Sequence, residues 1–210
     1  MTVVDLRVHR IPFSTNVERV ALAAAHKGLS VEWVDHDAAD RSAIRALSGQ
    51  DLVPVAELPG GEVLTDSPRI LARLDELVPF PPLWPRDAAR RAEADIFVEW
   101  FNRVWKVPPN AIDAERASGS PDDDAIAAHR VQMHGWLPLF EALLRDRDHL
   151  LSDEFGIADV IAFPFLKFGA GGYEDDDDLF HGILKEELAL GDGFPRMAAW
   201  IARVEAMPRA

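Results

Sequence analysis

Cysteine is missing from all 210 residues. Disulfides, thiolate metal sites and cysteine nucleophiles are thereby excluded. No run of about 18 apolar residues exists, so the sequence predicts no membrane span. The chain does not open with a basic region followed by an apolar run, so no signal peptide is expected. Positive charge is also scarce: 22 Lys and Arg stand against 36 Asp and Glu, a net charge of −14. Such a surface repels phosphate backbones and anionic membranes, so neither nucleic acid nor a membrane is an expected partner. The seven histidines show no ligand spacing beyond His129 and His134, five apart, and no metal is expected. Glu174 to Asp178, five acids in a row, read as a solvated, mobile loop because like charges repel. A cytoplasmic enzyme or binding protein is the resulting expectation.

What the chain does have is apolar content, 48% of its residues, enough for one large domain or two small ones. Leu6 and Val8 alternate with Arg7 and His9 as in a half-buried strand. Thr15 and Glu18 fit a capping box opening a helix whose apolar face is Val17, Val20, Ala21 and Ala24, with Gly28 as its stop. Val31 to Val34 follows as a second strand, completing a βαβ unit. Ala38 to Leu47 reads as a short helix. Val53 to Leu58 and Glu62 to Thr65 flank Pro59-Gly60-Gly61 as a hairpin. Asp66-Ser67-Pro68 starts a further helix, with Pro68 at its first position. Pro79, Pro81, Pro82 and Pro85 then interrupt the pattern, and that stretch reads as a semi-rigid linker. Beyond it the chain reads as helix and loop: Asp87 to about Lys106, ended or kinked by Pro108-Pro109; Asp122 to about Arg147; Phe155 to Phe168; Asp177 to Leu190; and Phe194 to Ala206.

Three motifs sit at junctions of these elements. Ser14 stands where the first strand gives way to the first helix, five residues before Arg19-Val20. The free N–H groups of a helix start favour negative charge there, and a hydroxyl at that point can donate to a thiolate. Val53-Pro54 precedes the hairpin, at a bond type that tolerates the cis form. Asp66-Ser67 opens the third helix, where a hydroxyl and free N–H groups suit a carboxylate and the Asp66 carboxylate suits an ammonium group. A fourth element, Phe155-Gly156-Ile157-Ala158-Asp159-Val160, has a capping-box acid at Asp159 and a hydrophobic staple, Phe155 against Val160, but Gly156 in place of the usual Ser or Thr.

This order of elements and motifs resembles the cytosolic glutathione transferases of serine type, as found in bacteria, over nearly the whole chain. The resemblance implies an α/β thioredoxin-like glutathione-binding domain at residues 1–78, a proline-rich linker at 79–86 and an all-α domain at 87–210. It implies Ser14 as the catalytic residue, with Thr15 as a competing hydroxyl. Val53 and Pro54 would hold the cysteinyl part of glutathione, the cosubstrate, and Asp66 and Ser67 its γ-glutamyl end. Electrophile-pocket walls are expected from Phe13 and from Trp100, Val104 and Trp105, in a site between the domains, with Phe165 and Phe168 as further candidates. The family's usual Lys or Gln for the glycine carboxylate is here Leu52, after Asp51, an acid that would repel it; Gln50, Arg41, Arg45 and His36 are candidate replacements. Absent cysteine removes the mixed-disulfide members, and Tyr173, the sole tyrosine, lies in the second domain, which removes the tyrosine type. The implied activity is attack of an activated thiol on a small hydrophobic electrophile, in a cytoplasmic homodimer. Alternatives are a glutathione-dependent isomerase, dehalogenase or peroxidase, a non-catalytic binding or assembly protein of the same fold, and a carrier of apolar ligands.

Overall fold

Alternation at Leu6 and Val8 builds strand β1 (Leu6–Arg10), with those two side chains buried and Arg7 exposed in the computed structural model, which describes residues 6–210. Helix α1 (Thr15–His26) buries Val17, Val20, Ala21 and Ala24, as their spacing requires. It ends in a Schellman motif. Gly28, at φ +66°, donates to Ala25 O and Leu29 N donates to Ala24 O at 2.9 Å, so the last carbonyls are satisfied. Strand β2 (Val31–Asp35) lies parallel to β1, and the crossover such a pair needs is α1. Helix α2 (Ser42–Ser48) begins four residues later than the sequence suggests. Asp37 and Asp40 instead accept from the N–H groups of Ala39 and Ser42, turns that compete with helix.

Strand β3 (Val55–Glu57) runs antiparallel to β1, and β4 (Val63–Thr65) antiparallel to β3, giving the sheet order β2-β1-β3-β4. Helix α3 (Ser67–Leu77) buries Ile70, Leu71 and Leu74 and packs beside α1. This is a thioredoxin-like sheet with helices, the first of two compact units. It extends to Trp84 and takes in Met207–Ala210, which the sequence groups with the helical part.

The proline-rich stretch is fastened to this unit up to Trp84, so it does not behave as a free spacer. Lys27, buried, pairs with Asp75 and donates to Val78 O at 2.8 Å and to Pro81 O. The Asp75 carboxylate also accepts from Leu83 N at 2.8 Å. Leu83 and Trp84 are buried. A buried charge is tolerable only with such partners, and here both charges find them.

The second unit, Pro85–Ala206, is helical. It contains α4 (Ala88–Trp100), α5 (Val107–Ala117), α6 (Asp123–Leu143), α7 (Ile157–Leu166), α8 (Leu179–Glu187) and α9 (Pro195–Glu205). The helical stretch from Ala88 breaks at Lys106, beside Pro108-Pro109, and the pair lies in the first turn of α5. Without their N–H groups neither proline can bond back to Val104 O or Trp105 O, and the chain crosses this gap as a π-helical turn, Phe101–Trp105, in which Lys106 N bonds Phe101 O at 3.0 Å. The run of five acids is also tied down. Asp176 bonds His181 at 2.7 Å, Asp178 caps α8 by accepting from His181 N, Glu174 accepts from Gly172 N, and Lys185 donates to the carbonyls of Tyr173 and Asp176. These bonds engage three of the five acids, while Glu174, Asp175, Asp177 and Asp178 stay exposed, as a solvated run requires. The helical core is aromatic: Phe101 stacks on Trp105 at 4.3 Å, and Phe140 and Phe165 meet both edge-on. Among the described residues, no helix is long and apolar enough to cross a membrane, and no group of three or more His, Asp or Glu side chains could hold a metal ion.

Candidate active site

Strand register gathers three motifs at one end of the sheet. His9, near the end of β1, pairs with Val55 at the start of β3, and Val55 pairs with Thr65 at the end of β4. The loop carrying Ser14 leaves β1 there, Val53-Pro54 enters β3 there, and Asp66-Ser67 leaves β4 there. Motifs up to 53 residues apart in sequence thus emerge from adjacent strand ends.

Ser14 is the N-cap of α1, so the helix opens one residue earlier than the Thr15–Glu18 box would have it. The N3 residue is Val17, which has no carboxylate to complete a box. Ser14 O accepts from Val17 N and Glu18 N, while its side chain caps nothing. Ser14 is half-buried; Thr15, the competing hydroxyl, is buried. Phe13, just before it, is 80% exposed and holds φ +68°. Asp66 holds φ +70° just before Ser67. A non-glycine residue in that region is strained, and such strain concentrates at functional positions. Of three described non-glycine residues with positive φ, two directly precede the two candidate serines; the third is Asp146.

The Val53–Pro54 bond is cis. Pro54 is buried and Val53 half-buried. Asp66 is exposed, and the N-terminal N–H groups of α3 lie behind it. Ser67 is buried, and its Oγ accepts from Arg19 NH1 at 3.1 Å. Ser67 is the first residue of α3, so Pro68 takes the second position.

Asp51 is not the bare repelling charge its position in the sequence suggests. Arg45 bonds it at 2.7 Å and holds its carboxyl below the usual range, and Arg41 donates to the Asp51 carbonyl at 3.1 Å. Gln50 is spent on Leu52, giving to its O and accepting from its N. His36 is engaged with His9 at 2.8 Å. Leu52 itself is largely exposed.

The helical-unit residues expected to line an electrophile pocket divide by burial. Val104 is 40% exposed and Trp100 part-exposed, with Trp100 edge-on to Trp136 at 5.6 Å. Trp105 is fully buried in the stack with Phe101, so it is a core residue with no surface for a ligand; Phe165 and Phe168 are buried as well. The i to i+4 spacing of Phe101 and Trp105 carries no sign of which helix face turns inward, which is why sequence alone groups Trp105 with Trp100.

Sequence reasoning took Arg19 only as a landmark. Structure puts it at the centre: fully buried, donating from one nitrogen to Asn16 Oδ1 and Ser67 Oγ, both at 3.1 Å. Burial pushes its pKa down, to about 9, against an upward pull from Asp66, so it stays charged at neutral pH. An arginine inside an otherwise apolar helical face was the available signal.

Comparison with known proteins agrees with this geometry. Residues 8–82 match the family model of the glutathione S-transferase N-terminal domain, and residues 105–208 match that of its C-terminal domain. The chain belongs to the glutathione S-transferase family, a family of glutathione-using enzymes. It is 26% identical over 199 residues to a probable glutathione S-transferase of Solanum tuberosum, covering 90% of this chain and 79% of that one. It is 31% identical over 111 residues to FtsZ-localized protein A of Caulobacter vibrioides, covering 50% of this chain and 49% of that protein. A crystal structure of a glutathione S-transferase from Rhodospirillum rubrum F11 superposes with a TM-score of 0.74 at 27% identity, over 97% of this chain and 89% of the other.

Proposed function

We propose that this protein is a serine-type glutathione transferase, with glutathione held along the end of the sheet and its thiol activated by Ser14. The observation that carries the reading is the pair of helix starts, α1 and α3, each opened by a serine behind a strained residue, at the same end of the sheet, on the two strands β1 and β4 that flank β3. A thiol has a pKa of about 8.5, so little of it is thiolate at neutral pH. Donation from the Ser14 hydroxyl and the positive end of α1 both favour the charged sulfur and lower that value. The thiol proton passes to water, and the thiolate attacks an electrophilic carbon, forming a C–S bond as a leaving group departs with its electron pair or as a π bond opens and takes a proton from water. Ser14 gives a hydrogen bond and takes no proton, so the step needs no histidine base. Val53 offers its backbone to the cysteinyl part, Asp66 its carboxylate to the γ-glutamyl ammonium group, and Ser67 with the start of α3 receives the α-carboxylate. Exposed Phe13, next to Ser14, offers apolar surface for a small hydrophobic electrophile. Family membership supports two further elements of the reading, a homodimer and a cytoplasmic place of work; light scattering and cell fractionation check them.

Calorimetric titration with glutathione tests the proposal. Saturable binding that weakens about tenfold in Ser67→Ala, the scale of one hydrogen bond to a charged group, is the expected result. No binding at millimolar glutathione would favour a second reading, a binding or assembly protein on the same fold. The likeness to FtsZ-localized protein A over half of the chain supports that alternative.

A further inference from the structure

Serine hydroxyls both donate and accept, and which they do at a binding site depends on the neighbour that reaches them first. Arginine has donors only. The 3.1 Å bond from Arg19 NH1 therefore uses a lone pair of Ser67 Oγ, and the hydroxyl proton stays available for another acceptor. That guanidinium is well anchored. Its NH1 group carries two protons, and the two acceptors, Ser67 Oγ and Asn16 Oδ1, account for both. Arg19 is fully buried and Ser67 nearly so, which limits reorientation of either side chain. A carboxylate has acceptors only, so it complements a hydroxyl whose proton faces outward.

We infer that Arg19 is a positioning residue for the ligand carboxylate. By donating to Ser67 Oγ it commits the Ser67 hydroxyl to donate toward the γ-glutamyl end of glutathione. This inference rests on the glutathione reading above. It assigns Arg19 to binding and leaves the thiol chemistry at Ser14 untouched.

The test uses the full chain and S-methylglutathione, whose blocked sulfur keeps Ser14 chemistry out of the measurement. Arg19→Gln should raise the Kd roughly tenfold, the scale of one hydrogen bond to a charged group. Turnover at saturating glutathione should stay within about twofold, since an interaction made equally in ground and transition states leaves kcat alone. In a Ser67→Ala background the Arg19→Gln change should add nothing, because the two residues act as one unit. Arg19→Lys, which keeps the charge and a donor, should recover part of the affinity, and it carries the test should Arg19→Gln fail to fold. Unchanged affinity in the Arg19 variants, or losses that add to that of Ser67→Ala, would overturn the inference while the glutathione reading stands. Absence of binding by the unmutated protein would overturn both.

Discussion

Two helix starts in this molecule use their polar groups in opposite ways. At α7 the cap is Gly156, with no side chain to offer, and the polar side chain at this start is that of Asp159, which accepts from the cap's own N–H. Its carboxylate is 1% exposed and accepts from Gly156 N at 3.0 Å, Leu150 N at 3.1 Å and Trp200 Nε1 at 2.7 Å, with His149 beside it at 3.4 Å. At α1 the cap is Ser14, part-exposed, whose hydroxyl caps no N–H of its helix. Both positions carry a helix-start sequence signal. The difference lies in where the bonds go: the acid of α7 is consumed by the fold, whereas the hydroxyl of α1 caps no N–H of its helix.

Removing each group should widen that contrast. Asp159→Ala orphans two buried donors and one part-buried donor and should lower the unfolding free energy by about 3 kcal/mol or more, the largest stability loss expected among these variants. Denaturant titration measures it, and the folded fraction should still bind glutathione with unchanged affinity. A loss below about 1 kcal/mol would mean that water replaces the carboxylate without difficulty. Ser14→Ala should do the reverse. Turnover should fall roughly 10²- to 10³-fold, the scale of deleting one donor to a reacting anion, while the unfolding free energy stays within about 0.5 kcal/mol. Retained turnover would pass the role to a backbone N–H or to Thr15. A large stability loss would make Ser14 a structural cap after all.

Strand, helix and hairpin order were legible because period-2 alternation at Leu6 and Val8, and period-3.6 spacing at Val17, Val20 and Ala21, reflect a face that must be buried. The helix-start motifs were legible because Ser14 and Ser67 sit at breaks in those periods. What escaped sequence reading were pairings across distance. Arg19 with Ser67 spans 48 residues and Lys27 with Asp75 another 48. No local pattern announces that a buried cation meets its partner on another helix. Asp51 seemed hostile to a carboxylate for the same reason: its neutralisation by Arg45 depends on how the chain turns at Gly49, at φ +75°. Pro108-Pro109 marked the break after about Lys106 correctly, but a proline pair that ends one helix can equally open the next, and its place in the first turn of α5 was not legible.

The opposite end of α1 gives the smallest effect and the sharpest control. Its start is where the proposed thiol site lies; its C-terminal end is devoted to the fold, through the contacts of Lys27 with Asp75 and the proline-rich stretch. His26, next to Lys27, is partly buried. Desolvation lowers its pKa below the ordinary 6.5 and Lys27 lowers it further, while a hydrogen bond to the Pro82 backbone and the charge of Asp75 pull it upward. Between the folded and unfolded pKa values the unfolded chain therefore binds more protons than the folded one, so stability rises with pH across that window. Read downward, stability should be full above about pH 6.5, fall as pH drops toward the folded pKa, and level off for this group below it. The expected fall in Tm is small, at most about 2–4 °C, the size that 1 kcal/mol gives in a chain of this length. Carboxylates titrate nearby, so the measurement is a difference: thermal melts of the unmutated protein and of His26→Gln between pH 7.5 and 5.5. The variant should show a flatter profile, and glutathione affinity at pH 7.5 should be the same in both. Parallel profiles would show that His26 is hydrated in the fold. A changed affinity would show that the two ends of α1 are coupled, and would erase the division between a ligand-serving start and a fold-serving end.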